Sequence, residues 1–273
     1  MSFLQKGHGP LEYETVSYHG TALRFRGPAV DLQGPYIACL GGSETYGRFI
    51  HTPFPAQLND LLDVPAVNLG VMNAGLDVLS EDDGIKTIVR GAQAVVLQIT
   101  GAQNMTNRFY SVHPRRNDRF VKAAPILRTI YRDVDFTEFH FTRHLLTHLS
   151  TLSRDRFAIL VEELQQAWQA RLISIIAGMN VPVHLLWMSN RAPADTPDTP
   201  GLGRDPLFVT SAMLDVVAKE AASFTQVLPP DTWRKAPTQG MFFAAREEAA
   251  ARTMPGPEVH AKAASLLSKI LQG

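Results

Sequence analysis

The chain has 273 residues, 45% hydrophobic and 19% charged, with 26 basic and 26 acidic side chains. That length suits one large α/β domain with a full core or at most two small ones, and a formal net charge of zero removes any global electrostatic case for nucleic acid or an anionic membrane. A single cysteine, Cys39, excludes an intrachain disulfide and a thiolate-rich metal site; no stretch approaches the roughly 20 apolar residues of a membrane span, and the first residues lack a secretory signal's apolar core, so a cytoplasmic protein is expected.

Residues 1–35 carry Gly and Pro at intervals and only short alternating stretches, which predicts an irregular lead-in with at most an edge hairpin. From Tyr36 a short apolar run predicts a buried strand, broken at Gly41-Gly42-Ser43 before a helix expected over 53–62. A strand that breaks at two glycines and presents a hydroxyl before a helix holds a nucleophile compactly, with backbone N–H groups available to a developing negative charge. Ser43 is therefore the first candidate for chemistry. The same residues also suit an ordinary strand-to-helix turn.

A second short strand over 65–69 runs into a turn bearing Gly70 and Gly75, followed by a helix over 76–90 interrupted at Gly84. Ala94 to Ile99 is continuously apolar apart from Gln98, as a strand covered on both faces should be, and it ends in the polar turn 100–108. In an open parallel sheet the carboxyl ends of such strands share one crevice, where ligands collect.

Four arginines fall between Arg108 and Arg119, and the planar forks of Arg115, Arg116 and Arg119 suit an anionic substrate; a solvated, salt-bridged insertion is the alternative. His140, His144 and His148 recur every four residues in a segment, 136–149, that reads as a helix, a spacing compatible with a transition metal or with simple packing. Further along come a long amphipathic helix over 157–179, a strand over 181–188, a Pro- and Asp-rich loop over 189–203 and a helix over 206–222. A strand over 224–228 and a terminal helix over 257–271 complete the chain. Five strands separated by helices predict a three-layer α/β/α sandwich in a single domain, 1–273, with 105–150 a helical, Arg- and His-rich insertion.

The ordered blocks of the chain from about Tyr36 onward resemble the SGNH (GDSL-like) hydrolase superfamily. Gly41-Gly42-Ser43-Glu44-Thr45-Tyr46-Gly47 is similar to its nucleophile block in the GGSxTxG form, Asn68-Leu69-Gly70 through Gly75 to the second block, and Gly101-Ala102-Gln103-Asn104 to the third, GxND. The resemblance implies a flavodoxin-like α/β/α fold with a five-stranded parallel sheet. It also implies serine acyl transfer on esters, including O-acyl groups of carbohydrates, with Ser43 as nucleophile and Gly70 or Gly75 with Asn104 as oxyanion donors. Gln103 is the alternative amide at that position. Where the family carries DxxH before its last helix, this chain has Pro257-Glu258-Val259-His260, which makes His260 the candidate base. A competing register, on the family's H-L-S-P-E-G-H pattern, places His260 inside the helix and Met254 at the base position.

Two functions follow as expectations: a serine esterase or O-acyltransferase acting on a small-molecule or sugar-linked ester, or a binding protein for a small anionic ligand that keeps the fold and has lost the base. Neither requires a cofactor, nucleic acid or a membrane, and the oligomeric state cannot be read from the residues.

Overall fold

The computed structural model describes residues 9–194 and 202–272; the middle of the polar loop expected over 189–203 lies outside them. The lead-in contains a hairpin of β1 (Thr15–Val16) and β2 (Phe25–Arg26), and the next strands are β3 (Ile37–Gly41), β4 (Ala66–Gly70) and β5 (Ala94–Gln98). A second hairpin, β6 (Tyr110–His113) and β7 (Arg116–Ala123), precedes the last two strands, β8 (Val183–Met188) and β9 (Ser223–Val227). The helices are α1 (Ser43–Tyr46), α2 (Phe54–Leu58), α3 (Leu76–Glu81), α4 (Asp83–Gly91), α5 (Pro125–Ile130), α6 (Thr142–Leu152), α7 (Arg154–Met179), α8 (Ser211–Val217), α9 (Glu248–Ala251) and α10 (Pro257–Leu271). None of them is long and apolar enough to cross a membrane.

The main sheet has the order β4-β3-β5-β8-β9, and every pair is parallel. This is the flavodoxin-like, doubly wound arrangement, in which the chain first steps to one side of β3 and then crosses to the other. Alternation along the strands builds both outer layers. Ile37 and Cys39 of β3 pack with Phe54, Leu58, Val259 and Leu267 of α2 and α10. Ala38 and Leu40 face the opposite layer, where Val78, Ile88, Trp168 and Leu214 of α3, α4, α7 and α8 pack.

Several boundaries differ from the sequence reading for identifiable reasons. The α2 helix stops at Leu58 because the Asn59 side chain accepts the Ala66 N–H at 2.7 Å and turns the chain into β4. The helix expected over 76–90 breaks at Asp82, not at Gly84: Asp82 caps α4 by accepting the Ile85 N–H at 2.9 Å and also binds the Thr21 hydroxyl. The insertion is helical only in its second half, since its first half is the β6–β7 hairpin. The expected helix over 136–149 is likewise divided. Phe120 donates its N–H to His140 O at 3.1 Å and Phe141 bridges Arg119, so this stretch runs extended beside β7 before α6 begins.

Trp168 ties the helical layer to the carboxyl end of β5. Its indole is fully buried and donates to Thr100 O at 2.9 Å, directly after the strand. Trp168→Ala should lower unfolding free energy by about 3–5 kcal/mol in urea titrations, through the cavity and the lost hydrogen bond. A loss below about 1 kcal/mol would contradict this packing role.

Candidate functional site

The crevice lies where the strand order reverses, between the carboxyl ends of β3 and β5. A cleft of about 240 Å³ opens there, and Ser43, Glu44, Asn73, Gln103, Asn104 and Met254 are among the residues that line it. Gln98 sets its floor. This side chain is 2% exposed, and its Oε1 accepts from Gly42 N at 3.0 Å, Thr45 N at 3.2 Å and Thr45 Oγ1 at 2.7 Å. Its Nε2 donates to Glu44 Oε2 at 2.9 Å. The lone polar residue of an otherwise apolar strand thus holds the turn that carries Ser43.

Ser43 is 7% exposed and is engaged with Asn73 in two ways. Its Oγ accepts the Asn73 N–H at 2.9 Å and donates to Asn73 Oδ1 at 3.3 Å. Asn73 in turn donates from Nδ2 to Asp118 Oδ2 at 3.3 Å, so the β6–β7 hairpin braces the serine from outside the sheet. Burial pushes the Asp118 carboxyl up, against the charges of Arg116 and Arg119. Burial also pushes Glu44 up; its hydrogen bond from Gln98 opposes this and the charge of Asp205 adds to it.

The two amides of the third block both reach the cleft. Asn104 Oδ1 accepts from Thr142 Oγ1 at 2.7 Å, which orients the amide and leaves Nδ2 as its donor. Gln103 donates from Nε2 to Asp205 Oδ1 at 2.9 Å, while its buried Oε1 has no partner. The glycines do not behave as expected. Gly70 donates its N–H to Asn68 Oδ1 at 2.9 Å and packs against the backbone of Tyr46, away from the cleft. Gly75 donates its N–H to Asn117 Oδ1 at 2.9 Å, so that donor is already satisfied, and its missing side chain makes room for the Asn104 carbonyl.

His260 is not at the site. It sits in the first turns of α10, 1% exposed, with Nδ1 accepting the Phe54 N–H at 3.1 Å and its ring stacked on Phe54 at 6.2 Å. A ring nitrogen that accepts an N–H is unprotonated, so the imidazole is neutral with its proton on Nε2. Burial, and secondarily the charge of Arg26, holds its pKa down to about 3. Met254, which the competing register sets at the base position, lines the same cleft as Ser43. On that register the DxxH carboxylate falls at Ala251, which is fully buried. Among the described residues that line the cleft there is no histidine.

Arg115, Arg116 and Arg119 are exposed on the hairpin and do not line the cleft; Arg119 lies over the Phe141 ring at 5.7 Å. The cleft's own cation is Arg48, paired with Glu247 at 3.1 Å. His140, His144 and His148 are exposed, with His144 and His148 against Phe139. Among the described residues no group of three His, Cys, Asp or Glu is placed to hold a metal ion. The residues that the sequence reading missed are Asn73, Asn117, Asp118 and Asp205. Of these, Asn73 lies within the second block and Asn117 and Asp118 lie between Arg116 and Arg119; only Asp205 stood apart from the residues singled out in the sequence.

The chain belongs to the family described as Domain of unknown function (DUF6473), which matches residues 1–273. No curated protein matches it. Among solved structures it is similar to a lipase from the goat rumen metagenome, at 10% identity over 86% of this chain and 96% of that one, with a TM-score of 0.43. It is also similar to the acetylxylan esterase Axe2 of Geobacillus stearothermophilus, at 12% identity, 86% and 93% coverage and a TM-score of 0.42. A gut microbial diltiazem-metabolizing enzyme matches at 12% identity over 86% of this chain and 46% of that one, with a TM-score of 0.46.

The neutral His260 has a consequence for stability. Its folded pKa of about 3 lies below the ordinary 6.5, so its contribution is complete above pH 6.5 and is lost as pH falls toward 3, where the unfolded form takes up the extra proton. From pH 6 to pH 4 this group should remove roughly 1.4 kcal/mol of stability per pH unit. The difference in pH slope between wild type and His260→Gln, read from urea unfolding at several pH values, should show that amount. Equal slopes would contradict the buried neutral imidazole.

Proposed function

We propose that this DUF6473 protein uses the Ser43 cleft to bind a small, neutral, donor-rich ligand, and that Ser43 acts there as a hydrogen-bonding group without a histidine base. The observation that carries this reading is the pairing of Ser43 with Asn73 in a cleft lined by Met254, while His260 is turned away into the α2–α10 interface. A serine hydroxyl without an adjacent base is a weak nucleophile at neutral pH. The fold, the serine and the Asn104 amide are kept, and the proton acceptor is not.

The polar groups favour a donor-rich ligand over an anion. Glu44 and Asp205 line the cleft with carboxyl oxygens, and Gln103 Oε1 is a buried acceptor with no partner. Among the described residues lining the cleft the one cation, Arg48, is already held by Glu247. A neutral polyol about the size of a monosaccharide suits both the volume and the surplus of acceptors. The rival is the serine esterase or O-acyltransferase, in which Glu44 or Asp205 would have to take the serine proton; Ser43 beside the Asn104 amide is what favours it.

A fluorophosphonate probe read by peptide mass spectrometry separates the two. Wild type should show no labelling at Ser43, and Met254→His should introduce labelling that Ser43→Ala abolishes. Labelling of wild type at Ser43, together with hydrolysis of an acyl ester lost in Ser43→Ala, would instead establish the esterase. For the ligand, thermal-shift screening should show neutral sugars stabilising the protein and simple carboxylates not doing so. Stabilisation by carboxylates alone would restore an anionic ligand.

A further inference from the structure

A second cavity, of about 440 Å³, lies between α3, α4 and the C-terminal half of α7. It shares no residue with the Ser43 cleft. Its volume falls within the range of roughly 300–1,000 Å³ typical of small-molecule sites, whereas the Ser43 cleft falls below it. Leu79, Val89, Ile175 and Met179 give it a buried apolar floor. Lys86, Arg90 and Arg171 stand around that floor.

Counting the charges decides what such a cavity prefers. Arg171 is bound to Asp77, which is 2% exposed, and to Thr106 O at 3.3 Å, so its charge is neutralised in place. Lys86 pairs with Asp83 at 2.8 Å, and the same carboxylate lies close enough to Arg90 to be held down by it. Three cations thus meet two carboxylates, and one positive charge is left over at the rim, beside an apolar floor. The Lys86–Asp83 pair is solvent-exposed and therefore weak, so Lys86 can turn to a ligand at little cost.

Gly178 lies exposed in the last turn of α7 at the cavity edge, and a Cβ there would meet nothing within 4 Å, so a larger side chain at this position has room to enter the cavity.

We propose that this cavity binds an amphipathic monoanion, a carboxylate on an alkyl chain, with the chain on the Leu79–Ile175 floor and the carboxylate between Arg90 and Lys86. Isothermal titration of the full chain with octanoate tests it, with 1-octanol and acetate as the uncharged and chainless comparisons. Octanoate should bind one-to-one and at least about tenfold more tightly than either. Arg90→Glu should weaken octanoate by about tenfold or more while leaving 1-octanol unchanged. Gly178→Leu should abolish binding of both by filling the space, with a melting temperature equal to or above that of wild type.

Absence of octanoate binding to wild type would overturn the proposal. So would equal affinity for 1-octanol with no effect of Arg90→Glu, which would mark a plain apolar void, or octanoate binding unchanged in Gly178→Leu, which would place it elsewhere. If Gly178→Leu does not fold, the exposed Arg90 variant decides alone. Neither variant touches the Ser43 cleft, so the outcome is independent of the function proposed for it.

Discussion

One amide oxygen sets the geometry of the Ser43 cleft. Gln98 Oε1 gathers the Gly42 N–H, the Thr45 N–H and the Thr45 hydroxyl. These groups belong to the turn after β3, while Gln98 ends β5, its neighbour in the sheet. Without that acceptor the buried donors would each cost about 1–3 kcal/mol, far more than a net hydrogen bond contributes. The contact explains why Gly41 carries no side chain, since a Cβ there would collide with Thr45 and Gln98. It also explains why Glu44 is held at the cleft, because the other end of the same amide donates to it.

From this turn the serine's surroundings follow by hydrogen bonding rather than by burial alone. Asn73 holds Ser43, Asp118 holds Asn73, and Asn117 holds the N–H groups of Gly75 and Val78 at the start of α3. The hairpin is therefore part of the site's scaffold, although its arginines point elsewhere. Asn117 is fully buried, and its Oδ1 takes up the Gly75 N–H.

Much of the fold was legible because strands buried on both faces leave a simple mark. The runs at 37–41, 94–98 and 183–188 are apolar apart from Gln98 and His184, and each became a strand of the parallel sheet. The failures came where a distant partner overrode local periodicity. Nothing in 136–149 shows that Phe120 will claim the carbonyl of His140, and the cap formed by Asp82 outcompetes the breaker signal of Gly84. In the site, Ser43, Gln103 and Asn104 could be found because the blocks lie in short turns at strand ends. His260 could not be judged, because a histidine on an apolar helix face reads alike whether it faces a serine or a phenylalanine ring. Asp205 left no local mark, since it meets Gln103 and Arg143 only through the fold.

The reading of the cleft rests on the absence of an imidazole that serves Ser43. The most direct measurement is a ring-nitrogen NMR titration of His260, comparing wild type with Ser43→Ala between pH 5 and 8. The expected result is a neutral imidazole protonated on Nε2 throughout, with no titration step and the same shifts in both proteins, as a pKa of about 3 and a bond from Phe54 require. A step near neutrality that moves when Ser43 is removed would show that the two residues communicate, and would return the protein to the serine hydrolases.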